Sequence, residues 1–323
     1  DNASYNLPYL WKLTGQVKVN KLYASLMNTF NNHAVYHSFL KDGELVYDSN
    51  TKFRPKIIEM TYPTDEEFEI AVMEQAKIYA NTPFNNSVWP LQQAIIFINT
   101  RDFSEEYFLF INVSHLICDI YSAYEIINEI SDRYNNKVTT LLEEKKPLSV
   151  NKISEKREQR AKDYFSSRLP LISSLEQPSL TIEHTSNRRN IDITVSRNVV
   201  TKLMNLSKKT EFEVLLTAYT ILLSSITSQQ IVTIGIPLAN RHPEERHSHG
   251  CFVNNLPLII NVGESEQLHD LLQDVSFNLH NLLRFQSFDL QSHLKELVDS
   301  RENYKFMNNS VTLYKYEVNF DFD

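Results

Sequence analysis

Apolar and polar positions along this chain alternate between two periods, and the sharpest stretch is 107–114. There Leu109, Ile111 and Val113 fall on one side and Phe108 and Phe110 on the other, which predicts a strand covered on both faces. Residues 94–99 predict a second strand, with 102–105 as the turn between the two. Upstream, 9–19 reads as an apolar strand-like run. A helix follows it, capped by Asn20, with Leu22, Leu26 and Phe30 at helical spacing. Tyr36 to Phe39 and Glu44 to Tyr47 flank Asp42-Gly43, which predicts a hairpin, and 64–80 predicts an acidic amphipathic helix. After the two-faced strand, Asp119 and Ser122 precede a helix whose buried stripe is Ala123, Ile126, Ile127, Ile130 and Tyr134.

The second half repeats this alternation. Helices are predicted at 198–208 and, capped by Thr210, at 211–226; a strand runs from Ile231 to Pro237 and another from Phe252 to Val262, with Ala239 to Gly250 as the loop between. Helices near 265–284 and 290–299 follow, and Val311 to Phe322 alternates like an edge strand. Residues 135–169 are polar and charged, and Pro170 and Pro178 follow them, so a boundary is expected near 165–178. The chain is therefore read as mixed α/β (α+β). An N-terminal unit would span 1–168 and a C-terminal unit 169–323, the latter incomplete at its C-terminal end.

Composition narrows the function. With 323 residues and 42% hydrophobic positions there is material for a real core. Only 5 Gly are present, and neither G-x-G-x-x-G nor a P-loop pattern occurs, which argues against phosphate-loop chemistry. The net charge of -8, with no basic stripe beyond a run near Lys145 to Lys162 that alternates with Glu, argues against nucleic acid as the main partner. No apolar stretch is long enough to span a membrane, and Asp1 to Leu10 lacks the features of a signal peptide. Two cysteines, Cys118 and Cys251, give no disulfide framework, so a reducing, cytoplasmic setting is expected.

Candidate chemistry centres on His115, four residues before Asp119, where the buried strand ends and a helix begins. An amine or hydroxyl attacking an ester or thioester must lose a proton. An imidazole, which titrates near ~6.5, is a natural base or a charge-steadying group. A nearby aspartate paired with an arginine would hold the loop that presents it. By itself an H-x-x-x-D spacing is common, and a histidine at a strand end is more often structural. His242, His247, His249 and Cys251 cluster within ten residues and offer zinc-ligand atoms, but their spacing is not that of a finger, and a polar loop is the simpler reading. Cys118, three residues after His115, could form a nucleophilic pair with it, although a cysteine in an apolar turn is usually a small hydrophobe.

The segment Ser114-His115-Leu116-Ile117-Cys118-Asp119-Ile120-Tyr121-Ser122 resembles the H-H-x-x-x-D-G signature of condensation domains of nonribosomal peptide synthetases. Four further segments resemble motifs of the same family in the same order. They are His33 to Phe39; Pro83-Phe84-Asn85 with Trp89-Pro90-Leu91; Ile231 to Arg241, similar to I-x-x-G-x-P-x-x-x-R; and Gly250 to Leu258, similar to G-x-F-V-N-T-L-x-L. Together they span most of the chain. The resemblance implies a V-shaped pair of chloramphenicol acetyltransferase-like subdomains with a tunnel between them. It implies no directly bound cofactor: donor and acceptor peptidyl carrier proteins of adjacent synthetase modules would deliver substrates on phosphopantetheine arms. His115 would be catalytic, Asp119 and Arg241 would support the site as an ion pair, and Ser114, Ile120, Ser122 and Asn254 would lie along the tunnel.

Several positions depart from the pattern. Ser114 replaces the first His and, by strand alternation, faces away from His115. Ile120 replaces a Gly, putting a β-branched residue where the family pattern has the freest backbone. His37 and Ile260 stand where arginines are usual. Two alternatives therefore accompany the amide-forming reading. One is a stand-alone acyltransferase of the same superfamily using a coenzyme A or carrier donor, although the D-F-G-W-G motif of its plant-type branch is absent. The other is a catalytically silent carrier-docking domain.

Overall fold

The computed structural model describes residues 3–13, 15–101, 106–137, 153–168, 171, 191–264, 267–297 and 309–313. These fall into two compact units. The first holds the described residues up to 137 together with 241–252, and the second holds 153–240 and 253–313.

The first unit is built on a four-stranded sheet. Strands β1 (Asn6–Leu13), β4 (Lys56–Met60), β5 (Gln92–Asn99) and β6 (Tyr107–Ser114) lie in the order β1-β6-β5-β4, all antiparallel except the parallel pair β4 and β5. The two-faced reading of 107–114 holds. Leu109, Ile111 and Val113 pack in a core with helices α1 (Val19–Asn32) and α3 (Ile120–Tyr134). Phe108 and Phe110 pack on the opposite face against Phe68, Val72 and Ala76 of α2 (Asp65–Asn81). Helix α2 starts where its sequence directs: Thr64 accepts from the Glu67 backbone N–H while the Glu67 carboxylate accepts from that of Thr64. Asp42 (φ 53) and Gly43 (φ 85) form the turn joining β2 (Ser38–Lys41) to β3 (Glu44–Tyr47), both in the left-handed region that this hairpin turn requires.

Three features differ from expectation. The first strand ends at Leu13, and α1 begins at Val19 with no side-chain cap from Asn20. The backbone N–H of Lys18 instead donates to Tyr134 Oη at 2.9 Å, so a tertiary contact from α3 fixes the helix start. Strand β4 was not evident in the sequence, because it is a short edge strand with half-exposed positions. Residues 102–105 lie outside the described residues.

The second unit contains α4 (Glu155–Arg168), α5 (Arg197–Ser207), α6 (Glu211–Thr227), β7 (Ile231–Leu238), β8 (Asn254–Asn261), α7 (Leu268–Arg284) and α8 (Leu290–Leu297). Strands β7 and β8 pair antiparallel, and at Gly235 the chain near Ser310 adds a parallel bridge. Val232, Ile234 and Ile236 meet Leu256, Leu258 and Ile260 in a core closed by α6 and α7. Ile260 is fully buried there, so its departure from arginine is a packing choice. The division differs from the expected 1–168 and 169–323, since Ala161 and Phe165 place α4 in the core of the second unit. Most of the predicted strand from Val311 to Phe322 lies outside the described residues. No helix among the described residues is long and apolar enough to cross a membrane.

Candidate active site

His115 sits one residue beyond β6 and is half-buried. Its backbone N–H donates to Tyr5 O at 2.7 Å, anchoring the strand end. Asp119 is the N-cap of α3 and accepts from Ser122 N at 2.8 Å. The turn between the two residues is therefore held at both ends, which fixes where the imidazole is presented.

The expected partnership of Asp119 with Arg241 is present. Arg241 Nη2 lies 2.8 Å from Asp119 Oδ1 and 2.8 Å from Ser122 Oγ, with side chains 5% and 1% exposed for the Arg and Asp. Arg241 Nη1 donates to the carbonyls of Glu245 and Ser248, and its guanidinium lies 4.1 Å from the Phe252 ring centroid. A buried pair of this kind depends on further hydrogen bonds, and here both sides recruit them, with Arg241 Nε left without a partner. Asp119 Oδ2 accepts from Phe252 N at 2.9 Å, the Asp119 backbone N–H donates to Gly250 O, and Ser122 Oγ contacts both Gly250 N (2.8 Å) and Gly250 O (2.5 Å). Gly250 and Phe252 are thus pinned to the start of α3 on either side of Cys251. The Cys251 Sγ consequently rests 3.6 Å from His115 Nδ1.

Cys118 is the wrong cysteine for a pair with His115. It is fully buried, burial pushes its thiol well above the usual range, and its Sγ contacts the Asp119 carbonyl. The zinc reading of the 242–251 run also fails on geometry, because its side chains diverge. His247 Nδ1 meets Glu125 at 3.0 Å, His249 turns to Glu129 and Tyr36, and Cys251 meets His115.

The group that does converge was not legible in sequence. His33 Nε2 and His249 Nε2 lie 2.6 and 3.3 Å from Glu129 Oε2, with the two rings stacked at 3.7 Å. These three are the residues among those described whose side chains could hold a metal ion. Two of them are held by further hydrogen bonds: Arg133 pairs with Glu129 Oε1 at 2.7 Å, and Tyr36 Oη lies 2.8 Å from His249 Nδ1. Burial raises the Glu129 carboxyl, but hydrogen bonds from His249 and His33 outweigh it and hold the group well below the usual carboxylate range. His33 and Glu129 are 96 residues apart, and no sequence spacing connects them.

Of the positions expected along the tunnel, Ser114 and Ser122 are buried and hydrogen-bonded inside the first unit. Ile120 is the first residue of α3, so the β-branched side chain occupies an ordinary helical conformation. Asn254 belongs to the second unit, where its amide donates to Gln286 O and Phe288 O at 2.8 Å each. His37 is buried beside Thr51 and Trp89, and burial lowers its imidazole below the ordinary range.

The condensation-domain family matches residues 1–321 of this chain. Bacitracin synthase 3 of Bacillus licheniformis is 27% identical over 292 residues, which is 84% of this chain and 4% of that protein. Surfactin synthase subunit 1 of Bacillus subtilis (strain 168) is 26% identical over 311 residues, 92% of this chain and 8% of that protein. The chain thus spans only a small part of these relatives. Among solved structures, the first condensation domain of the calcium-dependent antibiotic synthetase, in complex with substrate analogue 3a, matches with TM-score 0.70 and 16% identity. That match covers 99% of this chain and 78% of that one. VibH, a nonribosomal peptide synthetase condensation enzyme, matches with TM-score 0.68 and 17% identity over 92% of this chain and 72% of its own. The fold is shared with these structures, and the chain belongs to the condensation-domain family of nonribosomal peptide synthetases.

Proposed function

We propose that this chain joins a carrier-bound acyl or peptidyl thioester to an amine, releasing the carrier thiol and forming an amide. The observation that carries the reading is the clamped His115, held from Tyr5 on one side and from the Asp119–Arg241–Ser122 network through Cys251 on the other. In the reaction the amine nitrogen attacks the thioester carbonyl, the new C–N bond forms, and the C–S bond breaks. The nitrogen proton passes to the imidazole and from there to the departing thiolate. Nδ1 faces Cys251, so Nε2 is the nitrogen offered to the amine. Phosphopantetheine enters as part of the substrates, carried by donor and acceptor carrier proteins of neighbouring modules, and no directly bound cofactor is invoked.

Asp119 and Arg241 act by holding the loop, and Ser114 and Ser122 act through packing and hydrogen bonds. Ile120, half-buried at the start of α3, borders the path to His115. The test is single-turnover amide formation between an acyl-loaded donor carrier and an aminoacyl-loaded acceptor carrier, read by intact mass. Amide product is the expected result. Carrier binding with no product across a broad substrate panel would instead establish the silent docking reading, which the Ser114 and Ile120 departures motivate. Equal turnover with free coenzyme A thioesters would establish the stand-alone acyltransferase.

A further inference from the structure

A cavity of about 550 Å³ lies in the first unit, and His115, Asp119, Arg241 and Cys251 are not among the residues that line it. It opens where the sheet edge is left uncovered. Strand β4 begins at Lys56 opposite Ile95, so Gln92 to Ala94 of β5 extend past the last pair of that edge. The chain at 52–55 peels away from the sheet, and the end of α2 and the segment after it close the other side.

Two features define what the cavity would take. Its walls are apolar and largely aromatic, with Phe53, Tyr79, Phe84 and Trp89 among them. Its mouth carries Lys52, Arg54 and Lys56, at every second position of an extended segment whose intervening Phe53 and Pro55 are buried. The three cations therefore share the exposed side, and no acidic residue lines the cavity.

We propose that this cavity is a second ligand site, for a small organic anion with a flat apolar body. The carboxylate or phosphate sits at Lys52, Arg54 and Lys56, and the ring lies among the aromatic walls. Cavities of this size suit molecules of such dimensions, apolar walls giving affinity and a few polar groups giving orientation.

Calorimetric titration with indole-3-acetate tests it, with two probes alongside. Indoxyl phosphate exchanges the head group, and indole-3-acetamide keeps the ring without the charge. Indole-3-acetate or indoxyl phosphate binds, and whichever is tighter identifies the head group. Loss of the charge weakens binding by about 5- to 10-fold, the size of one ion contact. The Arg54→Ala/Lys56→Ala protein, altered only at exposed side chains, binds about 10-fold more weakly and loses most of its salt dependence. No heat from either anion, equal affinity for all three probes, or an affinity unchanged in the double variant would overturn the proposal.

Discussion

Two buried polar networks tie the same loop to the same helix, and they differ in how visible they are in the sequence. Residues Asp119, Ser122, Glu125 and Glu129 form a stripe along one side of α3, at spacings of three and four. Loop residues Arg241, Gly250, His247 and His249 meet that stripe. At the helix start the network is Asp119, Ser122 and Arg241, and it fixes the backbone on both sides of Cys251. About 15 Å further along the helix axis, the network is Glu129 with His33, His249 and Arg133, and it fixes the loop one residue before Gly250. The comparison teaches that the loop carrying Cys251, whose thiol rests against His115, is anchored twice. The first anchor is an ion pair closed by neutral hydrogen bonds, and the second is a carboxylate shared by three basic side chains.

Removing one side of the first network has the largest expected effect. Asp119→Ala leaves the Arg241 guanidinium buried beside only neutral acceptors, and should lower unfolding stability by about 3–5 kcal/mol, read from urea midpoints. The double variant Asp119→Leu/Arg241→Met removes both charges, and should recover much of that loss because no ion is left uncompensated. Equal stability of the wild type and Asp119→Ala would show that the pair does not hold the loop.

Glu129→Gln should cost less, about 2 kcal/mol: its one amide oxygen still accepts from one side of the network, Arg133 or the histidine pair, while its NH2 faces the other. It should also change the pH dependence. The Glu129 carboxyl is depressed in the folded state and titrates near about 4.3 in the unfolded chain. Its stabilisation is therefore complete above that value and is lost as pH falls below it toward the folded value. Wild type should lose stability faster than Glu129→Gln below about pH 4.3. Parallel acid profiles would remove Glu129 as the linked group.

Ile120→Gly gives the smallest effect. Glycine restores the family residue, but Ile120 already has helical geometry that needs no glycine. The substitution should cost about 0.5–1 kcal/mol through backbone entropy and leave amide formation unchanged. A large gain in rate would mean that the isoleucine side chain obstructs the substrate path.

Much of this was legible beforehand where a local rule suffices. The two faces of β6, the apolar stripe of α3, the Asp-Gly hairpin and the Thr210 cap each depend on residues within a few positions of one another. The Asp119–Arg241 pair spans 122 residues, and was reachable only through the resemblance of two motifs. Where neither route applied, reading failed. The α1 start depends on Tyr134, α4 joins the second unit through two buried side chains, and His249 finds His33 only when the chain is folded. Cys251 was weighed as a zinc ligand, and its contact with His115 follows from backbone clamps at Gly250 and Phe252 that no side-chain pattern encodes.

The central claim is that both networks serve His115, which alone performs the proton transfer. Single-turnover amide formation by His115→Ala, compared with the wild type on the same loaded carriers, tests it most directly. The account predicts a rate lower by about 10²–10⁴-fold, with an unchanged urea midpoint and unchanged carrier binding. A folded His115→Ala protein that forms amide at the wild-type rate would contradict it.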